Sequence, residues 1–172
     1  MNHAVSAGPH FHAYLVSRGR MWGEAGIGLI LTDGTTTRTF SGFGYATDGE
    51  YPRFHAAHHI FYRVLPPDAT LTIHSVGLED RLRHYSLSLR GRKSDGSPFI
   101  GEEFLGPLAA AREEGLLSIK KPSPATKPHM KAAKEIAETA LREELRIPGF
   151  PETVVAERKA NAILIFREVQ PS

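Results

Sequence analysis

The chain has 172 residues, 41% of them hydrophobic, which fits one folded domain and argues against a disordered chain. Cysteine is absent, which excludes disulfides and thiolate metal sites and suits a reducing cytoplasm. The formal net charge of +2 is mildly basic. It is compatible with a polyanionic partner, although many proteins without one share it.

The amino-terminal stretch MNHAVSAGPHFHAY lacks the basic segment and long apolar run of a secretory signal. No apolar run approaches the roughly 20 residues that a membrane helix needs. We therefore expect a cytoplasmic protein with no membrane partner. Residues 1–10 are predicted to be a flexible lead, residues 11–145 the domain, and residues 146–172 an extension packed on that domain.

The first part of the domain is typical of three strands joined as hairpins. The segments FHAYLV (11–16), GIGLILT (26–32) and TTTRTFSGFGY (35–45) are rich in apolar, β-branched and aromatic residues. Asp33 and Gly34 form a strong hairpin signal between the second and third strands.

Helices and single strands alternate in the rest of the domain. In order, we predict a helix at 52–65, a strand at 70–76, helices at 78–90 and 100–114, a strand at 116–121 and a helix at 129–145. A strand, a helix and another strand in succession favour a parallel crossover pair. Residues 153–169 end in ANAILIF, which fits either a strand or a helix.

This order of elements resembles the ribonuclease H-like fold. GIGLIL with RTFSGFGY is similar to the family's second and third strands, and FHAAHHIFYRVL with TLTIHSV to its first helix and fourth strand. LLSIKKPSPATKPHMKAAKEIAETA resembles its fifth strand, flexible loop and last core helix. The match covers roughly residues 11–141 and is one of pattern and order. It implies an α/β, ribonuclease H-like fold with a mixed five-stranded sheet flanked by helices.

In that family, four carboxylates hold two magnesium ions that activate water and stabilise the leaving oxygen of a phosphodiester. Here the matching positions are occupied by Ser17, Arg53, His74 and Lys134, none of which is acidic. Like charges about 4 Å apart cost on the order of 4 kcal/mol at an effective dielectric near 20. The resemblance therefore implies a domain without metal-dependent cleavage, with no catalytic residue and no cofactor.

Basic side chains indicate a nucleic-acid-binding face instead. The turn after the first strand contains arginines, whose guanidinium groups can bind phosphates, and a tryptophan on which a base can stack. In the family, this turn lies near the groove that binds nucleic acid. A second basic stretch lies where some family members grip the duplex. The predicted contact residues are Arg18, Arg20, Trp22, Arg81, Arg83, Arg90, Arg92, Lys93 and Lys134. We expect RNA-binding or DNA-binding, with an RNA–DNA hybrid or a structured strand as partner. The alternatives are a solvated charged face and a Trp22 that packs on the sheet.

The segment YPRFHAAHHIFYRVL (51–65) contains three histidines within five positions. His55 and His59 have the i, i+4 spacing of two zinc ligands, and His74 or His84 could supply a third. No HExxH pattern accompanies them. Solvated or boundary side chains are the simpler interpretation, and no metal site is predicted.

Two other functions stay open from the sequence. A pseudo-enzyme that has lost its carboxylates is free to become a protein-interaction module, as a homodimer or with another protein. A metal-dependent ribonuclease is the other, and it would need magnesium or manganese held by relocated carboxylates. Glu24, Asp48, Glu50, Glu79 and Asp80 are the nearby carboxylates, and Glu50, Glu79 and Asp80 are the first candidates among them.

Overall fold

A computed structural model describes residues 8–19, 24–45, 51–87, 95–96, 102–144 and 163–170. The strands are β1 (His10–Gly19), β2 (Glu24–Thr32), β3 (Thr37–Tyr45), β4 (Thr70–His74), β5 (Leu117–Lys120) and β6 (Ile163–Val169). The α-helices are α1 (Tyr51–His59), α2 (Leu78–Leu87), α3 (Glu102–Glu113) and α4 (Lys127–Glu144). The predicted α/β class, with a mixed sheet and flanking helices, is confirmed.

The six strands form one open sheet in the order β5-β4-β1-β2-β3-β6. β1, β2 and β3 pair in antiparallel fashion, whereas β4 is parallel to β1 and β5 is parallel to β4. The predicted count of five strands is therefore corrected to six. The added strand is β6, which pairs with β3 so that Ile165 lies opposite Phe43. This long-range pairing assigns the end of the 153–169 segment to a strand.

The turn between β2 and β3 follows the local chemistry of its sequence. The Asp33 carboxylate accepts the backbone N–H groups of Thr35 at 2.8 Å and Thr36 at 2.7 Å. These hydrogen bonds lower the pKa of Asp33. Gly34 has a φ of 90°, which glycine adopts without steric cost. The predicted hairpin is thus held by an aspartate and a glycine next to each other.

The helix predicted for residues 52–65 changes from an α-helix to a π-helix along its length. α1 ends at His59, and a π-helix, Ile60–Val64, continues it. The backbone N–H of Leu65 donates to the carbonyl of Ile60 at 3.0 Å, which is the i→i+5 bond of a π-turn. The predicted helix is therefore confirmed, but its last five residues are π-helical and not α-helical.

The two faces of the sheet are covered by different helices, because side chains alternate along a strand. Leu15, Ile27 and Ile73 belong to the core that includes residues of α1 and α3. Tyr14 and Ile30 point to the other face and pack with residues of α4. The functional features described below lie on the α4 side and at the carboxyl ends of the parallel strands.

The predicted boundaries at residues 10 and 145 stay a prediction, because residues 1–7 and 145–162 lie outside the described part. Among the described helices, none is long and apolar enough to cross a membrane.

Candidate functional site

A cavity of about 520 Å³ opens where β1, β4 and β5 end. These three strands are parallel, so their carboxyl ends meet at one edge of the sheet. In open α/β sheets this edge is where ligands bind. The walls come from the second half of β1, the residues after β4 and β5, Arg53 of α1, and the amino-terminal half of α4.

Cationic side chains dominate the polar part of the cavity wall. They are Arg18, Arg53, Lys127, Lys131 and Lys134, and none of the described lining residues is acidic. Glu138 lies outside this set, 3.7 Å from Arg18 Nε and 3.8 Å from Lys134 Nζ. Both ion pairs are about half exposed, so each contributes little. The cavity therefore keeps a net positive charge, which favours an anionic ligand.

The amino-terminal half of α4 contains three lysines on one face, and the first of them lies in the first turn, where the helix macrodipole repels a cation. Lys127, Lys131 and Lys134 follow the i, i+4, i+7 spacing of one helix face. The first turn of α4 contains no acidic residue. The helix macrodipole already gives this end a partial positive charge. A bound anion would offset both the lysine charges and the macrodipole.

Arg53 is held at the cavity by the chain that follows β4. Its Nη1 donates to the backbone carbonyl of Val76. The next residue, Gly77, has a φ of 83°, and a Cβ there would lie 3.4 Å from that same Nη1. A residue other than glycine would strain the backbone and crowd the guanidinium. The turn after β4 thus fixes the position of this cation.

Ser75 supplies a buried hydroxyl to the same cavity. The residue is 1% exposed and lines the cavity. Its backbone N–H donates to the carbonyl of Lys120 at 3.1 Å, but its Oγ has no hydrogen-bond partner among the described residues. Leaving a buried hydroxyl unsatisfied costs about 1–3 kcal/mol. The Ser75 hydroxyl is therefore available to a ligand group that reaches the buried part of the wall.

Apolar side chains form the remaining wall. They are Leu15, Val16, Val76, Pro122 and Met130. Val76 is 66% exposed and provides apolar contact area in the wall that also contains Arg53. A wall of this kind suits a ligand with both a charged and an apolar part.

The structure brings together three of the four positions that were predicted to match the carboxylates of ribonuclease H-like proteins. Ser17, Arg53 and Lys134 all line the cavity. His74 does not, because its position on β4 directs its ring toward the α4 face of the sheet, where it stacks on Tyr14. The predicted contact Arg18 also lines the cavity.

His74 belongs to a column of four stacked rings. Centroid distances are 5.3 Å from His12 to His74, 4.7 Å from His74 to Tyr14, and 4.3 Å from Tyr14 to His129. His12 Nδ1 lies 3.0 Å from His74 Nε2, so one nitrogen donates and the other must be unprotonated. Burial is the main cause that lowers the pKa of both imidazoles, and their mutual repulsion lowers that of His74 further.

We expect the protein to be less stable at pH 5 than at pH 7.5. Because the pKa of His74 is lowered in the folded state, the unfolded chain binds more protons below about pH 6.5. The stabilisation is complete above that pH and is lost as the pH falls toward the lowered value. Urea unfolding at both pH values measures the difference. His74→Gln should reduce this difference in stability, whereas replacement of the exposed His84 by glutamine should not. An unchanged difference in His74→Gln would contradict the role of His74 in the pH dependence.

The histidines of the 51–65 segment pack against aromatic rings on the other side of the sheet. His55 stacks on Phe104 at 4.5 Å, and His59 meets Phe166 edge-on at 5.4 Å. Burial is the main cause that lowers the pKa of both. His74 lies on the α4 face, so the three weak metal candidates do not come together. Within the described ranges, no group of three or more His, Cys, Asp or Glu side chains could hold a metal ion.

The described part of the second basic stretch consists of Arg81 and Arg83, and neither residue lines the cavity. Arg81 and Arg83 are on α2, and Arg83 forms an ion pair with Asp80 at 3.4 Å. Glu79 accepts a hydrogen bond from Arg112 at 2.8 Å, so the two described first candidates for the alternative nuclease site contact arginines. The other predicted contacts, Arg20, Trp22, Arg90, Arg92 and Lys93, and also Asp48 and Glu50, lie outside the described residues.

The predicted contact residues did not include Lys127, Lys131 or Ser75, although the two lysines form a cationic strip with Lys134 in the sequence. The two lysines had a usable signal, because their spacing to Lys134 places all three on one helix face. No signal in the sequence indicates that Ser75 is buried beside the cavity.

The chain matches no protein-family model and no curated protein. Its function is therefore inferred from the geometry of this cavity.

Proposed function

We propose that this chain is a ribonuclease H-like domain that binds nucleic acid through the cationic cavity without two-metal phosphodiester cleavage, in the cytoplasm. The order of elements supports the fold: three antiparallel strands, a helix, a strand parallel to the first, two helices, a further parallel strand and a helix. The clustering of Ser17, Arg53 and Lys134 at one cavity supports the alignment with the family carboxylates.

The observation that carries the proposal is the composition of the cavity wall. Five cations converge on one space, and no carboxylate is among the described lining residues. The remaining wall is apolar and can accept sugars and bases, while Arg18 and the α4 lysines meet phosphates. A nucleic acid combines those two chemistries in one molecule.

The same charges disfavour the metal chemistry of the family. A divalent cation in the cavity would meet the like charges of Arg53 and Lys134, which both line it. At about 4 Å, each unit of like charge costs on the order of 4 kcal/mol at an effective dielectric near 20. A phosphate at the same place is attracted by both side chains. The substitutions therefore exchange a metal site for a phosphate site.

Binding should weaken steeply with salt. If the cavity contacts three to five phosphates of a duplex, log K should fall against log salt with a slope of about −2.7 to −4.5, because each neutralised phosphate releases counterions. Fluorescence anisotropy with labelled RNA–DNA hybrid, duplexes and single strands across a salt series measures this slope. Lys134→Ala should reduce it by about one. Arg142→Ala is the matched control, because Arg142 lies on the same helix and does not line the cavity.

The competing functions give distinct results in the same experiments. No binding of any nucleic acid at low salt would contradict the proposal, and a stable oligomer in light scattering would then favour an assembly module. Cleavage of the labelled hybrid that requires magnesium or manganese, and that is lost on replacement of Glu50, Glu79 or Asp80, would instead favour a nuclease with relocated ligands.

A further inference from the structure

We propose that the cavity binds the end of a strand, by enclosing a terminal phosphate monoester. This inference rests on the proposed nucleic-acid-binding function and specifies which part of the nucleic acid enters the cavity. Three observations carry it: a buried hydroxyl without a partner, the amount of positive charge, and the apolar residues beside it.

The buried hydroxyl has no protein partner within the described part of the chain, and a ligand group that reaches into the wall would satisfy it. Ser75 is 1% exposed, and its Oγ has no partner among the described residues. An internal phosphodiester continues as a chain on both sides, so its two sugars hold it at the surface. A terminal monoester is linked on one side only and carries three acceptor oxygens. Such a group can enter the cavity and accept a hydrogen bond from the Ser75 hydroxyl.

The charge of the cavity matches a monoester better than a diester. The lining set has five cations, and the nearby Glu138 offsets part of this charge through its ion pairs with Arg18 and Lys134. A monoester carries about −1.5 to −2 charges at pH 7, whereas an internal phosphodiester carries one. The amino-terminal end of α4 adds the positive end of its macrodipole. More of this charge is balanced when the phosphate is terminal.

The apolar wall favours a monoester that is attached to a sugar and a base; that these belong to a strand follows from the proposed function. Val76, Pro122 and Met130 line the same cavity as the cations, and Val76 is 66% exposed. These side chains can contact the sugar and the face of the terminal base without reading its edges. We therefore expect the protein to recognise the phosphorylated end of the strand, with little dependence on its base sequence.

The test compares strands that differ only at their ends. Oligonucleotides of one sequence carry a 5′-phosphate, a 3′-phosphate or two hydroxyl ends, and a nucleoside monophosphate is added as a competitor. One of the phosphorylated strands should bind about tenfold or more tightly than the hydroxyl-ended strand, because charge-assisted hydrogen bonds are added. The arm that binds more tightly identifies which end is recognised.

Ser75→Ala is the decisive variant. It should abolish most of this preference, which is measured within the variant as the ratio of its affinities for the phosphorylated and the hydroxyl-ended strand. Removal of a buried, unpaired hydroxyl is neutral or stabilising, so its melting temperature should not fall. Arg142→Ala should leave both affinities as they are.

Failure of the inference can be told apart from failure of the proposed function. Equal, measurable binding of phosphorylated and hydroxyl ends would overturn end recognition and leave nucleic-acid binding standing. A preference that persists in Ser75→Ala would overturn the assigned pocket. A nucleoside monophosphate that binds as tightly as the phosphorylated strand would overturn recognition of a strand. Absence of binding by every strand would overturn both proposals.

Discussion

Replacing Gly28 by alanine is expected to lower the free energy of unfolding by about 3 kcal/mol or more. A Cβ at this position of β2 would lie 1.9 Å from the carbonyl oxygen of Ala133 and 2.8 Å from the backbone nitrogen of Ala137. Both atoms belong to the backbone of α4, which cannot rotate aside as a side chain can. The whole helix must therefore move away from the sheet.

Urea unfolding of Gly28→Ala measures this cost. Gly106→Ala is the matched control, because a Cβ there would lie 3.1 Å from the hydroxyl oxygen of Tyr85, at the far end of a flexible side chain. Gly106 lies inside α3, where the gain of about 1 kcal/mol in helix propensity is opposed by the following Pro107, whose ring crowds the Cβ of a preceding residue. A cost in Gly28→Ala no larger than that in Gly106→Ala would contradict the close packing of α4 on β2.

The double replacement Lys127→Glu and Lys131→Glu is expected to weaken nucleic-acid binding by about 100-fold or more. Each lysine that contacts a phosphate contributes about 1.5–3 kcal/mol as a charge-assisted hydrogen bond, and about 1.4 kcal/mol is a factor of ten. The glutamates would in addition repel the phosphate. Both positions line the cavity at the amino-terminal end of α4.

This variant separates binding from stability. Acidic residues in the first turns of a helix interact favourably with its macrodipole, so thermal unfolding should show α4 to be at least as stable as before. The control is Arg63→Glu with Arg142→Glu, which changes the net charge equally at two exposed positions that do not line the cavity. Equal losses of affinity in the two double variants would show that net charge, and not the cavity, governs binding.

Local chemistry in the sequence was enough to predict most of the secondary structure. Asp33 and Gly34 form the turn between β2 and β3, because a short carboxylate and a residue that tolerates positive φ act within four residues. The apolar stripe of the last core helix predicted α4, which spans Lys127–Glu144. Elements that depend on neighbouring residues leave a periodic pattern in the sequence.

Elements that depend on distant partners were not predicted in the same way. Whether residues 163–169 form a strand or a helix was settled by their pairing with β3, more than 100 residues earlier in the chain. The π-helix at Ile60–Val64 was also missed, because one shifted hydrogen bond leaves the apolar spacing almost unchanged. Long-range pairing and backbone strain are not encoded by periodicity.

The features of the cavity likewise include some that were visible in the sequence and some that only the tertiary structure revealed. Its positive charge was visible in the sequence, because Lys127, Lys131 and Lys134 repeat at the spacing of one helix face. Only the tertiary structure brought Ser75 and Arg53 to that helix, and it placed His74 on the opposite side of the sheet from His55. The reason is physical: residue type and local spacing set charge and helix faces, whereas burial and convergence arise only when parallel strands align their carboxyl ends.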